Sequence, residues 1–168
     1  MSYKIANVKV SVKTLSLSLD IVYQCASLKG LTCKNYTNFL VIKKKFTYII
    51  FKTNKNNENH INITKIPNVS FVQEAIDLIK NLTNCFITST HIDNIIATTN
   101  SNRELNLEQI VKEKKFDQIK YNNEKFPGLF VKFVIGTAIL FHSGKIVIVG
   151  CKSEESIKCL IKKIYANI

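Results

Sequence analysis

Apolar and polar residues alternate over 4–13 (KIANVKVSVK), the pattern of a strand with one covered face, and a comparable β-rich run occupies 90–99. Each run leads into a Leu-x-Leu step, Leu17-Ser18-Leu19 and Leu105-Asn106-Leu107, where Ser18 and Asn106 are placed to cap helices. Gln109, three residues after Asn106, predicts a reciprocal capping box. Short strands follow in both halves: YTNFLVIK, FTYIIFK and HINITK, then GLFVKF, TAILFH and KIVIVG. Each half closes on an amphipathic helix. The first is predicted to start at Ser70 with Gln73 as a second box, burying Phe71, Ala75, Ile76 and Ile79. The second starts at Ser153, carries Glu154 and Glu155 where the helix dipole favours them, and buries Ile157, Leu160, Ile161 and Ile164. The order predicts four helices and eight to ten antiparallel strands, an α+β fold.

The elements occur twice. Asn7 and Asn94 stand 87 residues apart, Ser18 and Asn106 88, and Phe51 and Phe141 90. That offset fits duplication of a unit of about 88 residues, or two copies of a common β-α-β pattern. A Ser-Gly turn at 143–144 would set Ile139 opposite Val147 and Thr137 opposite Val149, with Ala138, Leu140, Ile146 and Ile148 on the other face. Four helices can cover one face of so wide a sheet. The other keeps apolar residues, with Phe126 and Phe141 at strand ends and Lys132, Lys145 and Lys152 on its rim. Such a patch marks an interaction surface, a homodimer interface or a shifted register.

Composition narrows the classes. The chain has 168 residues, 46% of them apolar, enough for one domain or two closely packed halves without metal or disulfides. No run approaches 18 apolar residues and the N-terminus has no apolar core segment, so membrane and secretory roles are not expected. Five cysteines without CxxC spacing read as buried reduced thiols. Net charge is +12, and the halves 1–84 and 85–168 each hold 12 basic residues against 4 and 8 acids. This suits a polyanionic partner, or a Lys-rich solvated surface. His60, His91 and His142 have no metal spacing and read as turn or surface residues; no catalytic set, metal site or cofactor motif emerges, so an enzyme is not expected. Lys43-Lys44-Lys45 is a phosphate-contact run or a plain turn, and 53–60 a solvated loop.

The stretch FPGLFVKF…TAILFHSGKIVIVGCKSEE resembles the C-terminal repeat of the TATA-binding protein family, with its FPGL and SGK motifs. The resemblance implies two pseudo-symmetric repeats, 1–84 and 85–168, forming one curved antiparallel sheet, a saddle, with four helices on the convex face. It implies binding and bending of A·T-rich promoter DNA in the minor groove to nucleate transcription. Phe126 and Phe141 match the wedge phenylalanines of one end, and Phe51 and Tyr36 fall at the other. Asn7 and Asn94 match the central asparagines, and Ile96 and Val147 floor valines. Val149 stands where the family has Thr; Lys132, Lys145 and Lys152 match phosphate contacts. Glu124 alone survives of the residues offered to a factor B-type partner. In the first repeat Lys9 replaces a floor valine, and neither SGK nor TGAK is recognisable. The implied partners are A·T-rich double-stranded DNA, a factor B-type initiation factor with RNA polymerase, and a weak homodimer away from DNA. The implied place is the nucleus, or the cytoplasmic transcription site of a virus or archaeon. The alternative is a saddle-shaped protein-interaction module that has lost DNA binding.

Overall fold

The computed structural model describes residues 2–15, 17–52 and 58–168. Most of the expected solvated loop, 53–57, lies outside them. Among the described residues the chain runs β1 (Lys4–Leu15), α1 (Leu19–Leu28), β2 (Thr32–Asn35), β3 (Phe39–Lys43), β4 (Thr47–Phe51) and β5 (Glu58–Ile66). A 3-10 turn (Val69–Phe71) leads to α2 (Val72–Thr83), then β6 (Ile87–Asn100), α3 (Leu107–Lys112), β7 (Ile119–Asn122) and β8 (Phe126–Phe133). Last come β9 (Gly136–Phe141), β10 (Lys145–Cys151) and α4 (Glu154–Tyr165). The fold is α+β, with the ten strands in one antiparallel sheet.

Two compact units emerge: Asn7–Asp93, here the N-terminal unit, and Asn94–Ile168 with Met1–Ala6, here the C-terminal unit. Their boundaries cut β1 and β6. Strand order is β2-β3-β4-β5-β1 in the first and β6-β10-β9-β8-β7 in the second. The alternation does the folding. In β9 and β10, Ala138, Leu140, Ile146 and Ile148 are wholly buried, packed toward α4, while Thr137, Ile139, Val147 and Val149 between them are half-exposed. Fully burying one such aliphatic side chain contributes roughly 1.5–3 kcal/mol.

The caps follow the expectation in part. Ser18, Asn106 and Ser153 accept from the backbone N–H of Ile21, Gln109 and Ser156. The reciprocal halves of the boxes do not form: Gln109 Nε2 donates to Glu113 at 2.7 Å and Gln73 Nε2 to Asp77 at 3.0 Å. Each glutamine amide instead donates to a carboxylate one turn further on, a charge-assisted bond stronger than the neutral one a capping box would make. At the start of α2 it is Asn68, not Ser70, whose side chain accepts, from the Ser70 N–H. Phe71 is only half-buried; the Lys45 ammonium lies 4.5 Å from its ring centre and bonds both Glu74 oxygens at 2.8 Å. Lys45 is thus tied to α2, while Lys43 and Lys44 stay exposed at the strand end.

Candidate nucleic-acid interface

In the C-terminal unit the predicted register holds, with Ile139 opposite Val147 and Thr137 opposite Val149. One row across the half-exposed face reads Phe130, Ile139, Val147, Thr98. Gly144 makes the turn in the left-handed region at φ 81, donating its N–H to the Phe141 carbonyl at 2.9 Å. A Cβ there would sit 2.3 Å from the Arg103 carbonyl oxygen, so the turn admits only glycine. It leaves Phe141 at the sheet end, its ring 5.9 Å from that of Phe126, which also lies 5.2 Å from Phe130. The Phe126 ring folds over Gly128, where any Cβ would meet it at 2.6 Å, and the residue remains 39% exposed. Ile96 and Val149 are half-exposed on the same unit, and Lys132, Lys145 and Lys152 are exposed.

Asn94 and Asn7 are held alike. The Asn94 Oδ1 accepts the Gly150 N–H at 2.6 Å, and the Asn7 Oδ1 accepts the Lys65 N–H at 2.9 Å. Gly150 and Lys65 are both left-handed, at φ 83 and φ 61, beside a break in strand pairing. With its oxygen committed to a backbone donor, each amide keeps its two Nδ2 protons without a partner among the described residues. The first repeat has no TGAK, and the structure shows which residues stand in its place. Thr64 lies opposite Thr47 as Val149 lies opposite Thr137, so Thr64-Lys65 occupies the place of Val149-Gly150. Lysine takes the left-handed conformation here at a cost of about 1–2 kcal/mol, and without a glycine the bulge leaves no mark in the sequence. Thr64 also supplies in this unit the hydroxyl that Val149 lacks.

The N-terminal unit differs in its aromatics. Phe51 pairs with Phe39, at the register of Gly128, and their rings lie 5.9 Å apart. Tyr36, 46% exposed, stacks on Phe39 at 4.6 Å. The sequence reading gives Tyr36 as the mate of Phe51 and misses Phe39. The strand pairing that would reveal it depends on the Lys44–Phe46 turn, which carries no specific signal.

The floor differs more. Ser11, Asn62 and Ile49 form the row corresponding to Thr98, Val147 and Ile139. Lys9 pairs with Asp93 at 3.2 Å, the Ser11 hydroxyl donates to Asp93 and lies 3.1 Å from the Asn62 Oδ1, and His60 Nε2 is 3.0 Å from that same oxygen. His60 is therefore a surface residue of this face, on β5 rather than in a turn. Partial burial pushes the Asp93 carboxyl up, but bonds from Ser11 and Lys9 and the charges of Lys9 and His60 more than offset it, holding the group below its ordinary 3.8. Lys9 in place of a floor valine is thus a neutralised cation.

Glu124 is exposed in the turn between β7 and β8, where the Lys125 N–H donates to the Asn122 Oδ1 at 3.2 Å. Of the cysteines, Cys85 and Cys151 are buried as expected, Cys25 and Cys33 only partly, and Cys159 is exposed because it faces away from the α4 stripe. Among the described residues no three His, Cys, Asp or Glu side chains gather as a metal site, and no helix is long and apolar enough to cross a membrane.

The family model described as transcription factor TFIID (or TATA-binding protein, TBP) matches residues 89–168. A TATA-box-binding protein of Methanocaldococcus jannaschii is 31% identical, over 98% of this chain and 92% of that one. The solved structure titled Methanococcus jannaschii TBP superposes with a TM-score of 0.77 at 26% identity, covering 99% of this chain and 98% of the other. A TATA-box-binding protein of Pyrobaculum aerophilum is 37% identical over 44% of this chain, and only 37% of its own length is covered. For Pyrodictium occultum the covered share is 40% of the relative.

Proposed function

Because the chain belongs to the TATA-binding protein family, we propose that it is a transcription-initiation factor that binds A·T-rich duplex DNA in the minor groove and bends it. The observation that carries this reading is the repeated asparagine clamp: Asn7 and Asn94, each with its oxygen held by the N–H of a left-handed residue and its amide donors left without a partner among the described residues. The minor-groove edge of an A·T pair offers only acceptors, and a G·C pair adds the guanine amino donor. Two such amides therefore suit A·T pairs. The floor of Ile96, Ile139, Val147 and Val149 gives a guanine amino group no acceptor, so burying one there costs its hydrogen bonds with water.

Each repeat, 1–84 and 85–168, offers the half-exposed face of its own strands to the groove. Phe126 and Phe141 wedge into a base step at one end, a device for which this family is itself a known example. Phe51 does so at the other, with Phe39 and Tyr36 behind it. Lys132, Lys145 and Lys152 neutralise flanking phosphates. Glu124, in its exposed turn, contacts a factor B-type initiation factor, which brings in RNA polymerase; off DNA the apolar face of the C-terminal unit supports at most a weak homodimer. The protein acts wherever its polymerase does, in a nucleus or in an archaeal or viral cytoplasmic setting.

Asn94→Ala should reduce the preference for an A·T duplex over a G·C duplex by roughly 1–3 kcal/mol, read as the change in the ratio of dissociation constants. An unchanged ratio removes Asn94 from the interface.

A further inference from the structure

The N-terminal face carries hydrogen-bonding groups where the C-terminal face carries aliphatic ones. Lys9 stands at the place of Ile96 in the repeat, and Asp93 at the place of Ala6. Both are partly open: their side chains retain 39% and 31% of their exposure. Both contacts of Asp93, from Lys9 and Ser11, fall on Oδ2. Its other oxygen has no partner among the described residues. Ser11 holds the carboxylate from β1, and Asn62 and His60 back Ser11 from β5. The result is a fixed acceptor beside a cation with protons to spare.

That pairing suits one base pair better than the other. A carboxylate oxygen facing the two acceptors of an A·T edge meets like charge, and nothing there can donate to it. The G·C edge presents the guanine 2-amino donor between acceptors, which a carboxylate and an ammonium side by side complement.

We infer that Asp93, with Lys9, makes the N-terminal half of the interface accept a G·C pair through its guanine 2-amino group, so that the preferred site is A·T-rich in one half and mixed in the other. The inference rests on the minor-groove reading above. It makes the divergence of this half a change of specificity rather than a loss of binding.

The test is fluorescence anisotropy with the full chain and an A·T-rich duplex in which one G·C pair is moved stepwise through the site. Each position is repeated with inosine·C, which keeps the pairing but lacks the 2-amino group. At one position, confined to one half, G·C should bind about fivefold or more tighter than inosine·C. Asp93→Asn should bring that ratio close to one; because the ratio is taken within one protein, any loss of folded fraction cancels. If the parent binds the A·T duplex yet favours inosine·C over G·C at every position, the inference falls and the minor-groove reading stands. If it binds no duplex, both fall. A ratio that survives Asp93→Asn takes the role away from Asp93.

Discussion

Replacing Phe126 and Phe141 together by alanine is expected to leave the melting temperature nearly unchanged while sharply reducing bending of a doubly labelled A·T-rich duplex, followed by fluorescence transfer. Truncating a core phenylalanine costs about 3–5 kcal/mol, because it removes buried surface and leaves a cavity. Neither condition holds here. Phe126 is 39% exposed and Phe141 half-exposed, and their rings touch chiefly each other and Phe130. In the proposed complex the same exposure serves the wedge, which has to leave the sheet to enter a base step. Unstacking a step costs a few kcal/mol, and without the rings nothing offsets it. Binding should persist in weakened, salt-sensitive form through Lys132, Lys145 and Lys152. A double variant that unfolds like a core variant, or bends DNA as well as the parent, would show that the rings belong to an ordinary core.

Leu140→Ala supplies the opposite result one residue away. Leu140 is completely buried, paired across the sheet with Leu129 and Ile146, which are buried as well. Its truncation should destabilise the protein by about 2–5 kcal/mol, measured by urea unfolding, a loss of roughly 10 °C in melting temperature. At a temperature where this variant remains folded, it should bend DNA like the parent, because the face that carries Phe141 is intact. A loss below about 1 kcal/mol would mean that the two faces of β9 have been assigned the wrong way round.

That assignment is legible in the sequence itself. The period-two alternation in TAILFH and KIVIVG, with a Gly-requiring turn between, fixes both the register and the covered face. The α4 stripe is legible for the same reason: Ile157, Leu160, Ile161 and Ile164 recur at helical spacing and all are buried. The edge strands β2 and β7 carry no such signal, because four residues with one or two apolar positions give no period to detect. Their shortness and their Lys34 and Lys120 suit edges that must not pair with another chain.

The site was legible where it is local and hidden where it depends on pairing. FPGL and SGK mark Phe126, Phe141 and Lys145 within a short segment. Phe39 becomes the neighbour of Phe51 only once β3 and β4 are in register, and Lys65 replaces the glycine that would have announced the bulge. The Lys9–Asp93 contact joins residues far apart in the chain, so the sequence shows an odd lysine and no reason for it. One further substitution, Lys125 in place of the family's leucine beside Glu124, has no explanation in the structure.

The most direct test of the account is a salt titration of the unmodified protein on an A·T-rich duplex and on a G·C duplex of equal length. With at least three lysines on phosphates, the logarithm of the binding constant should fall against the logarithm of salt concentration with a slope of about −3 or steeper between roughly 50 and 200 mM. The A·T duplex should bind more tightly at every salt concentration. A flat line, or equal binding to both duplexes, would contradict the account and favour a face built to hold another protein.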